Sequence, residues 1–442
     1  MSFTGGDVAH LLLALGLLLA SAHALGHIFV LCRQPRVIGE ITGGLLLGPT
    51  LLGAAFPSLE ARIFPPDGPT ASWLGGTYQL GLMLLMFASG AEMRSLFRRG
   101  EGRTVGVVTF TGVALPFVAG IGLFRVVDSS ALLGQAGNTT ALLLVFALAI
   151  AVTSIPVISR IMLDLGIIDT SFARIVLGVA VIEDVVVYII LAVALGMVAS
   201  TSGSDFGLPV VLGLKPGSDE SLVFHVAATL LFFVLVLTLG GRGFRWSRRQ
   251  RWNVLADSSP IAYYLLFLFA STLVCVSLGI TPLLGAFLAG VAASTGLGPR
   301  AVEARAAIKA FSAAFFVPIY FALVGLQLDL LRHFDLLFFC WFLLFACVAK
   351  SASVYLGARL SGESPRGSRN LAVATNARGG PGIVLASVSF DAGIISQEFY
   401  AALVMLAIVT SLLAGSWLGR IVRRGEPLRD DARSQSASNI GS

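Results

Sequence analysis

The sequence has little charge. Lysine, arginine, aspartate and glutamate make up 12% of its 442 residues, whereas about 25% is usual in a soluble domain. Hydrophobic residues account for 56%, and the mean hydropathy is +0.89. This composition excludes a soluble globular protein and predicts an integral membrane protein along the whole chain.

Lysine and cysteine are also scarce. Only Lys215, Lys309 and Lys350 among the 30 basic residues are lysines, so the formal charge of +6 is carried by arginine. The four cysteines have no Cys-x-x-Cys spacing, which excludes a zinc finger. No Gly-x-Gly-x-x-Gly follows a strand pattern, so we predict neither a nucleotide-binding domain nor a cofactor. The basic residues lie in short loops, and nucleic acid is not an expected partner.

Long apolar runs dominate what is present. A helix needs about 20 apolar residues to cross a bilayer. Thirteen runs of roughly this length occur, at 8–31, 37–56, 73–91, 104–127, 140–163, 172–199, 222–241, 259–278, 280–298, 311–330, 334–358, 369–390 and 397–422. We therefore predict an all-α polytopic membrane protein with thirteen transmembrane helices, called spans 1 to 13.

The distribution of basic residues gives the predicted topology. When the loops between spans are assigned alternately to the two sides of the membrane, one side receives 24 of the 30 lysines and arginines and the other receives four. Cytoplasmic loops carry the excess of Lys and Arg. We expect the amino terminus outside, the carboxyl terminus in the cytoplasm, and a location in the plasma (inner) membrane.

Few ionisable residues remain inside the spans. A charge near the centre of a bilayer costs about 2.5 to 3.5 kcal/mol, and such residues usually face a cavity or one another. They are Glu40 in span 2, Glu183 and Asp184 in span 6, Lys350 in span 11 and Arg378 in span 12. We take them as functional candidates, with buried structural salt bridges as the alternative. We expect Lys350 and Arg378 to compensate the buried negative charge in ion pairs.

Two spans contain helix breakers near their middle. Span 5 has Thr153, Ser154 and Pro156, and span 12 has Gly379, Gly380 and Pro381 within the stretch 376–382. Irregular backbone at membrane depth is tolerated where it lines a protein cavity. Spans 5 and 12 are seven apart and must run in opposite directions. Broken helices at matching positions of two inverted halves indicate a secondary transporter.

Several motifs in this order resemble the monovalent cation:proton antiporter-2 family, which includes Kef-type proteins, plant cation/proton exchangers and bacterial sodium/proton antiporters. They are RQPRVIGEITGGLLLGPTLLG at 33–53, AVTSIPVISRIMLDLGIID at 151–169, VIEDVV at 181–186, GITPLLGAFLAG at 279–290 and NARGGPGIVLASVSFDAGIIS at 376–396. The resemblance covers about residues 8–422. It implies two inverted six-helix repeats, crossed broken helices in spans 5 and 12, and usually a homodimer.

The resemblance also implies a division of the chain and a site. Residues 1–199 would form the first repeat, 200–256 a linker with span 7, and 257–424 the second repeat, followed by a disordered cytoplasmic tail at 425–442. The site would join the carboxylate of Asp184 to Thr153, Ser154 and the basic Lys350. Two positions depart from the family pattern: Glu183 stands where many sodium-type members have aspartate, and Gly380 replaces a common glutamate.

These observations predict a cation/proton antiporter that is not an enzyme. A hard alkali cation prefers oxygen ligands, which Asp184, Thr153 and Ser154 offer, and a proton competes for the same carboxylate. Neighbouring acids in a low dielectric titrate as a coupled pair. Two rivals are an organic-anion symporter of the same fold and an intramembrane aspartyl protease, which would need its two aspartates on separate helices. The sequence does not choose between Na⁺ and K⁺.

Lys350 needs a partner within span 11, and the family geometry implies an ion pair with Glu183. If Lys350 releases a proton when a cation binds, two protons exchange for one cation. If Lys350 stays charged, the exchange is one for one. We favour the first, electrogenic alternative because lysine changes its protonation on burial more readily than the arginine that could serve in a structural pair.

Overall fold

The computed structural model describes residues 4–32, 34–96, 102–202, 206–215, 217–250, 253–296 and 298–429. Within these ranges the chain is helical without strands, apart from one isolated bridge between Leu133 and Ile395. The helices are α1 Gly5–Leu31, α2 Arg36–Leu47, α3 Leu52–Ala55, α4 Pro57–Ile63, α5 Pro69–Leu96, α6 Gly102–Phe124, α7 Thr139–Ala151, α8 Ile155–Asp164, α9 Ser171–Ser202, α10 Leu208–Val211, α11 Asp219–Leu235, α12 Gly241–Arg249, α13 Leu255–Ser258, α14 Pro260–Ser277, α15 Pro282–Ala293, α16 Pro299–Phe311, α17 Val317–Leu326, α18 Leu336–Leu360, α19 Pro365–Ala374, α20 Gly379–Asp391 and α21 Gln397–Arg423.

Three further turns of helix complete the backbone. A 3₁₀ turn, Ser130–Leu132, precedes α7. Two π-helical turns, Val236–Gly240 and Ser312–Phe316, join α11 to α12 and α16 to α17, so each of these pairs forms one long helix. Most of the predicted tail, residues 430–442, lies outside the described residues. In its described part, Arg429 donates hydrogen bonds of 2.7 and 2.8 Å to the carboxylate of Glu363.

Nine helical segments in the described part of the chain are long and apolar enough to cross a membrane, judged by length and composition. They are Gly5–Leu31, Arg36–Ala55, Gly102–Phe124, Ser171–Ala199, Asp219–Arg249, Pro260–Ser277, Pro299–Leu326, Leu336–Leu360 and Gln397–Arg423. The apolar helices α7 and α15 are shorter. The prediction of a polytopic all-α protein is therefore confirmed.

Side-chain caps fix where several of the helices begin. Asn138 accepts a hydrogen bond from the amide of Ala141 at 2.9 Å and starts α7. Ser218 and Ser396 accept in the same way at the starts of α11 and α21. Each cap satisfies one of the first four amides of a helix, which have no carbonyl partner within it.

Two pairs of helices cross almost in backbone contact because glycines lie at the crossing. A Cβ added at Gly90 in α5 would lie 2.1 Å from the carbonyl oxygen of Phe287 in α15, and one at Gly290 would lie 2.1 Å from that of Phe87. Gly44 of α2 and Gly325 of α17 are packed in the same reciprocal way. Small residues allow such close approach between helices in membranes.

Helix α9 lies at the centre of the molecule. Of the most apolar part of Ser171–Ala199, 72% is buried inside the protein, against 17% for α1. Glu183 and Asp184 lie in the middle of this helix and are 0% and 1% exposed. The two acids of the predicted site are therefore enclosed by protein.

Candidate cation and proton site

Two interrupted helices meet beside α9. Helix α7 ends at Ala151, Val152 and Ser154 are extended, and α8 begins at Ile155 with Pro156 in its first turn. The second interruption separates α19 from α20, which begins at Gly379. The amide of Ser154 donates a 2.7 Å hydrogen bond to the carbonyl of Ala377. A backbone amide of one break thus finds its hydrogen-bond acceptor in the other break, so each break depends on the other for this hydrogen bond.

Ser154 and Thr153 hold the crossing together. The Ser154 hydroxyl oxygen accepts from the amide of Gly380 at 3.0 Å and from that of Val157 at 3.4 Å, so one side chain caps the amino ends of both α8 and α20. The Thr153 hydroxyl donates to the carbonyl of Thr375 at the end of α19. Both hydroxyls are fully buried.

Glycine and proline at the start of α20 make this packing possible. A Cβ added at Gly379 would lie 2.1 Å from a methyl carbon of Val157 and 2.7 Å from the Ser154 hydroxyl oxygen. Pro381 lies in the first turn of α20 and has no amide hydrogen to leave unpaired. The residues that break the helix in the sequence are therefore those that let the two breaks approach.

Two positively charged side chains lie at the carboxyl end of α7. Arg378 donates to the carbonyls of Ala149 at 3.0 Å and Ile150 at 2.9 Å, and the Lys350 ammonium donates to that of Ala151 at 2.5 Å. Carbonyls at the end of a helix carry partial negative charge and lack helical partners. Both cations are thus stabilised by backbone that the break exposes.

Arg378 differs from the prediction in its partners. Sequence reasoning placed it as a charge-compensating residue in an ion pair. Its guanidinium instead binds carbonyls, including that of Ala346 at 2.8 Å, and the side-chain oxygen of Asn376 at 2.5 Å. The side chain is 1% exposed. A guanidinium has five donors in a fixed fork, and a helix end presents several acceptors, so carbonyls can satisfy it without an acid.

Lys350 and Glu183 form the predicted ion pair. The ammonium lies 2.8 and 2.9 Å from the two carboxylate oxygens, and both side chains are fully buried. The ammonium also donates to the carbonyl of Gly112 in α6 at 2.8 Å, so that four oxygens, with that of Ala151, share its three N–H groups. A Cβ at Gly112 would lie 3.0 Å from a Glu183 oxygen, so glycine makes room for the pair. Paired and hydrogen-bonded in this way, two charges can be buried together.

Asp184 has no such partner among the residues that the structure describes. Neither carboxylate oxygen makes a hydrogen bond to any described residue. The Tyr188 hydroxyl, one turn later in α9, is likewise without a hydrogen bond in the described part of the chain. An ionised carboxylate buried without a partner is strongly unfavourable, whereas a protonated or cation-bound one is not. The arrangement leaves Asp184 available to bind a proton or a cation.

The structure brings together Glu183, Asp184, Thr153, Ser154, Lys350 and Arg378 around the crossed breaks. Thr153 also lies beside Glu183. Neither Thr153 nor Ser154 bonds to Asp184, because both hydroxyls are engaged in the crossing. Within the described ranges, no three His, Cys, Asp or Glu side chains are grouped to hold a metal ion.

Glu40 lies apart from this site. It forms an ion pair with Arg36 at 3.0 Å, one turn earlier in α2, and is 4% exposed. Sequence reasoning missed two contributors to the site: the carbonyls that end α7, and Asn376, which binds Arg378. The sequence does not indicate the exposed carbonyls, because every residue has a carbonyl whatever its side chain. Asn376 could have been noticed as a polar residue next to the glycines of span 12.

Comparison with known proteins gives one coherent result. The family model described as sodium/hydrogen exchanger, transmembrane, matches residues 13–424. The Na⁺/H⁺ antiporter NhaS4 of Synechocystis is 28% identical over 425 residues, which cover 94% of this chain and 96% of that protein. Cation/H⁺ antiporter 18 of Arabidopsis thaliana is also 28% identical, over 392 residues that cover 86% of this chain and 45% of its own length.

A solved structure shares the fold. The sodium proton antiporter MjNhaP1 from Methanocaldococcus jannaschii superposes with a TM-score of 0.58, covering 94% of this chain and 98% of that one. The sequence identity is 15%, so this likeness concerns the fold alone. The likeness in fold and the match of the family model each span more than nine tenths of the chain.

Proposed function

Since the chain belongs to the sodium/hydrogen exchanger family, we propose that it exchanges a monovalent cation, Na⁺ or K⁺, for protons by alternating access at the carboxylate of Asp184. One observation carries the assignment of the site. Asp184 is buried in α9 beside two crossed helix breaks, and its oxygens have no hydrogen-bond partner among the described residues. The cation/proton exchange named for the Synechocystis and Arabidopsis relatives supports the chemistry.

The exchange rests on competition for one carboxylate. An alkali cation prefers oxygen ligands, and the carboxylate of Asp184 offers two of them. A proton neutralises the same group, so a cation and a proton exclude each other. Transport follows when the occupied site is exposed to each side in turn. The ion pair with Lys350 offsets the charge of Glu183, so Asp184 is the acid of the two that is free to bind the cation or the proton.

Inverted repeats and thirteen spans are part of the proposal. The contact of α5 with α15 joins spans 3 and 9, and the contact of α2 with α17 joins spans 2 and 10. An inverted repeat that maps spans 2 and 3 onto 9 and 10 exchanges these two contacts. The reciprocal glycines Gly90 and Gly290 at one crossing, and Gly44 and Gly325 at the other, support that relation.

Two rival functions fit the site less well. An organic-anion symporter would bind its substrate at the amino ends of the half-helices. Here the Ser154 hydroxyl already accepts from the amides of Val157 and Gly380 at both ends, and two acids lie nearby. An intramembrane aspartyl protease needs two aspartates facing each other from separate helices, whereas Glu183 and Asp184 are neighbours in one.

The assembly and its orientation are proposed as well: a homodimer in the plasma membrane, with the amino terminus outside and the carboxyl terminus in the cytoplasm. Cysteines introduced at Gln135 and Asp169, both exposed, test the orientation after the native cysteines have been replaced. A membrane-impermeant thiol reagent should label Cys at 135 from outside intact cells and Cys at 169 only in inverted vesicles. The opposite pattern would overturn the orientation.

Proton flux in proteoliposomes tests the exchange. Purified protein is reconstituted with a pH-sensitive dye inside, and an inward gradient of NaCl or KCl is applied, with choline chloride as the control salt. We expect Na⁺ or K⁺, but not choline, to drive proton efflux in wild type. Proton flux that needs no cation, or that needs an organic anion, would overturn the assignment.

A further inference from the structure

A cavity lies on the side of the molecule that we assign to the outside. Its volume is about 820 Å³, and it is lined by α4, α5 and by the ends of α17, α20 and α21. Three acids line it, Glu60, Asp329 and Asp391, and the basic side chain among its lining residues is His333. No lysine or arginine lines the cavity in the described part of the chain.

The negative charge of this cavity is only partly offset. Arg332 approaches the Asp329 carboxylate at 4.0 Å, but its own side chain is 82% exposed. His333 lies 3.9 Å from Glu398, a further acid beside the cavity. Opposite charges in water at such distances attract each other weakly. The cavity therefore keeps a net negative field, and a concave surface focuses that field.

A second observation concerns buried oxygens in the cavity lining. The Tyr78 side chain lines the cavity, is 5% exposed, and its hydroxyl lies beside Asp391 without making a hydrogen bond within 3.5 Å to any described residue. The side-chain oxygen of Gln327, also in the lining, is buried and unpartnered within the described ranges. Unsatisfied buried polar atoms are costly. Two such oxygens and three acids make a lining that suits a positive ion.

The spacing of the acids limits which kind of cation the cavity suits. No three acidic, histidine or cysteine side chains in the described residues are grouped to coordinate a metal directly. A divalent cation is normally held by several carboxylate or carbonyl oxygens at about 2.3 to 2.6 Å. The cavity instead suits a monovalent cation that keeps most of its water and is attracted by the field.

Tyrosines separate the cavity from Asp184. The ring of Tyr78 packs against that of Tyr320 with 5.0 Å between centroids, and the Tyr320 hydroxyl shares a 2.8 Å hydrogen bond with Ser387 of α20. Tyr188 lies close to both Tyr320 and Asp184. A line of hydroxyls thus runs from the cavity to the buried carboxylate, with Tyr320 fully buried between them.

We propose that the cavity lined by Glu60, Asp329 and Asp391 is a second cation site, which holds a hydrated alkali cation and exchanges it with Asp184 past the Tyr78 and Tyr320 rings. The proposal rests on the proposed function, because it assigns this cavity to the outer face of an exchanger. It adds a binding site and a closed contact between that site and the carboxylate.

The reaction rates of oppositely charged thiol reagents measure the electrostatic field of the cavity, and this measurement does not require transport. Ala71 lines the cavity and is half-buried, so Ala71→Cys is made after replacing the four native cysteines by serine. In low salt, we expect a cationic methanethiosulfonate to react at least fivefold faster than an anionic one, after correction for their rates with free cysteine. The pair Asp391→Asn and Glu60→Gln should lower this ratio about fivefold, and 1 M choline chloride should bring it near unity.

Two controls make the result decisive. Gln135→Cys, exposed on a loop outside the cavity, should show a ratio near unity that the two acid substitutions leave unchanged. Elution of each variant as a single peak in size-exclusion chromatography verifies folding. A ratio at position 71 equal to that at position 135, or one that does not respond to the acid substitutions, would overturn the site.

Transport then links the cavity to exchange. In right-side-out vesicles, Asp391→Asn should raise the outer cation concentration that gives half-maximal exchange roughly three- to fivefold, while the inner value in inverted vesicles stays unchanged. Asp128→Asn, an exposed acid on a different outer loop, is the matched control and should change neither value. Equal values for Asp391→Asn and wild type would overturn the second site, whereas absence of any exchange in wild type would overturn the proposed function instead.

Discussion

The two faces of α9 differ sharply, although the acids that mark them are adjacent in the sequence. On one face, Glu183 is bound to Lys350 by two contacts of 2.8 and 2.9 Å. On the other, the carboxylate of Asp184 has no hydrogen-bond partner among the described residues. Successive residues in a helix point about 100° apart, so neighbours meet different helices. The fold pairs Glu183 with a positive charge and leaves Asp184 without a hydrogen-bond partner in the described part of the chain, as the proposed exchange requires.

In the proposed exchange, the same contrast gives the two acids different roles. A fixed pair of Glu183 and Lys350 holds α9, α6 and α18 together, since the ammonium also binds the Gly112 carbonyl of α6. Asp184 can then change its charge without the loss of a packing contact. Stability and exchange are thus assigned to neighbouring residues, and each assignment can be tested separately.

The largest effect should come from Asp184→Asn. The change keeps the volume of the side chain but removes the exchangeable charge, so we expect cation-driven proton flux in proteoliposomes to fall more than tenfold. Thermal unfolding in detergent should change little, because no described residue loses a hydrogen bond. Asp169→Asn, an exposed acid before α9, serves as the matched control. Exchange above a tenth of wild type would place the site elsewhere.

The next effect concerns stability. Lys350→Gln leaves Glu183 buried and unpaired, and the loss of one partner of a buried ion pair costs about 3 to 5 kcal/mol. We expect a large drop in thermal stability in detergent for Lys350→Gln and for Glu183→Gln. The double variant should recover much of this loss, because no unpaired charge remains. Additive losses would show that the two side chains are not coupled.

Exchange rates in the same variants test whether the pair of Lys350 and Glu183 also contributes to transport. We expect both single variants to exchange more slowly than wild type, because Asp184 then lies beside an unbalanced charge. Full activity in either single variant would dismiss the pair as functional. A double variant more active than both singles would show that the pair mainly offsets buried charge.

A smaller effect should appear in the charge moved per cycle. If Lys350 releases a proton when a cation binds at Asp184, two protons exchange for one cation. The reversal potential in proteoliposomes with clamped ion gradients should then follow a ratio of two to one. A ratio of one to one would mean that Lys350 stays charged and paired with Glu183 throughout the cycle.

The smallest effect should follow from Ser154→Ala. This change removes the cap shared by α8 and α20, and the loss of a helix cap costs about 1 kcal/mol. We expect a modest drop in thermal stability and slower exchange, because the crossing beside Asp184 loosens. Ser218→Ala removes the cap of α11, which takes no part in the crossing of α8 and α20, and should reduce stability without slowing exchange. Equal effects on exchange would contradict a local role for Ser154.

Much of this arrangement could be predicted from the sequence. The rarity of charges inside apolar runs singled out Glu183, Asp184, Lys350 and Arg378, because each such charge is costly in hydrocarbon. Proline and glycine inside two spans marked the interruptions, and helices α7 and α19 end just before them. These are local signals: the energetic cost of a charge or a breaker does not depend on which helix lies next to it.

The sequence by itself determined the helical class, the candidate charges and the breaks, and with the family resemblance it implied the pairing of Lys350 with Glu183. Only the tertiary structure decided that Arg378 binds the carbonyls that end α7 and that Thr153 and Ser154 are used within the crossing. It also decided that Asp184 has no hydrogen-bond partner among the described residues. Every residue has a backbone carbonyl, so the type of residue does not indicate where the fold exposes a carbonyl. A partner depends on which helix faces the side chain, and this is fixed when the helices pack.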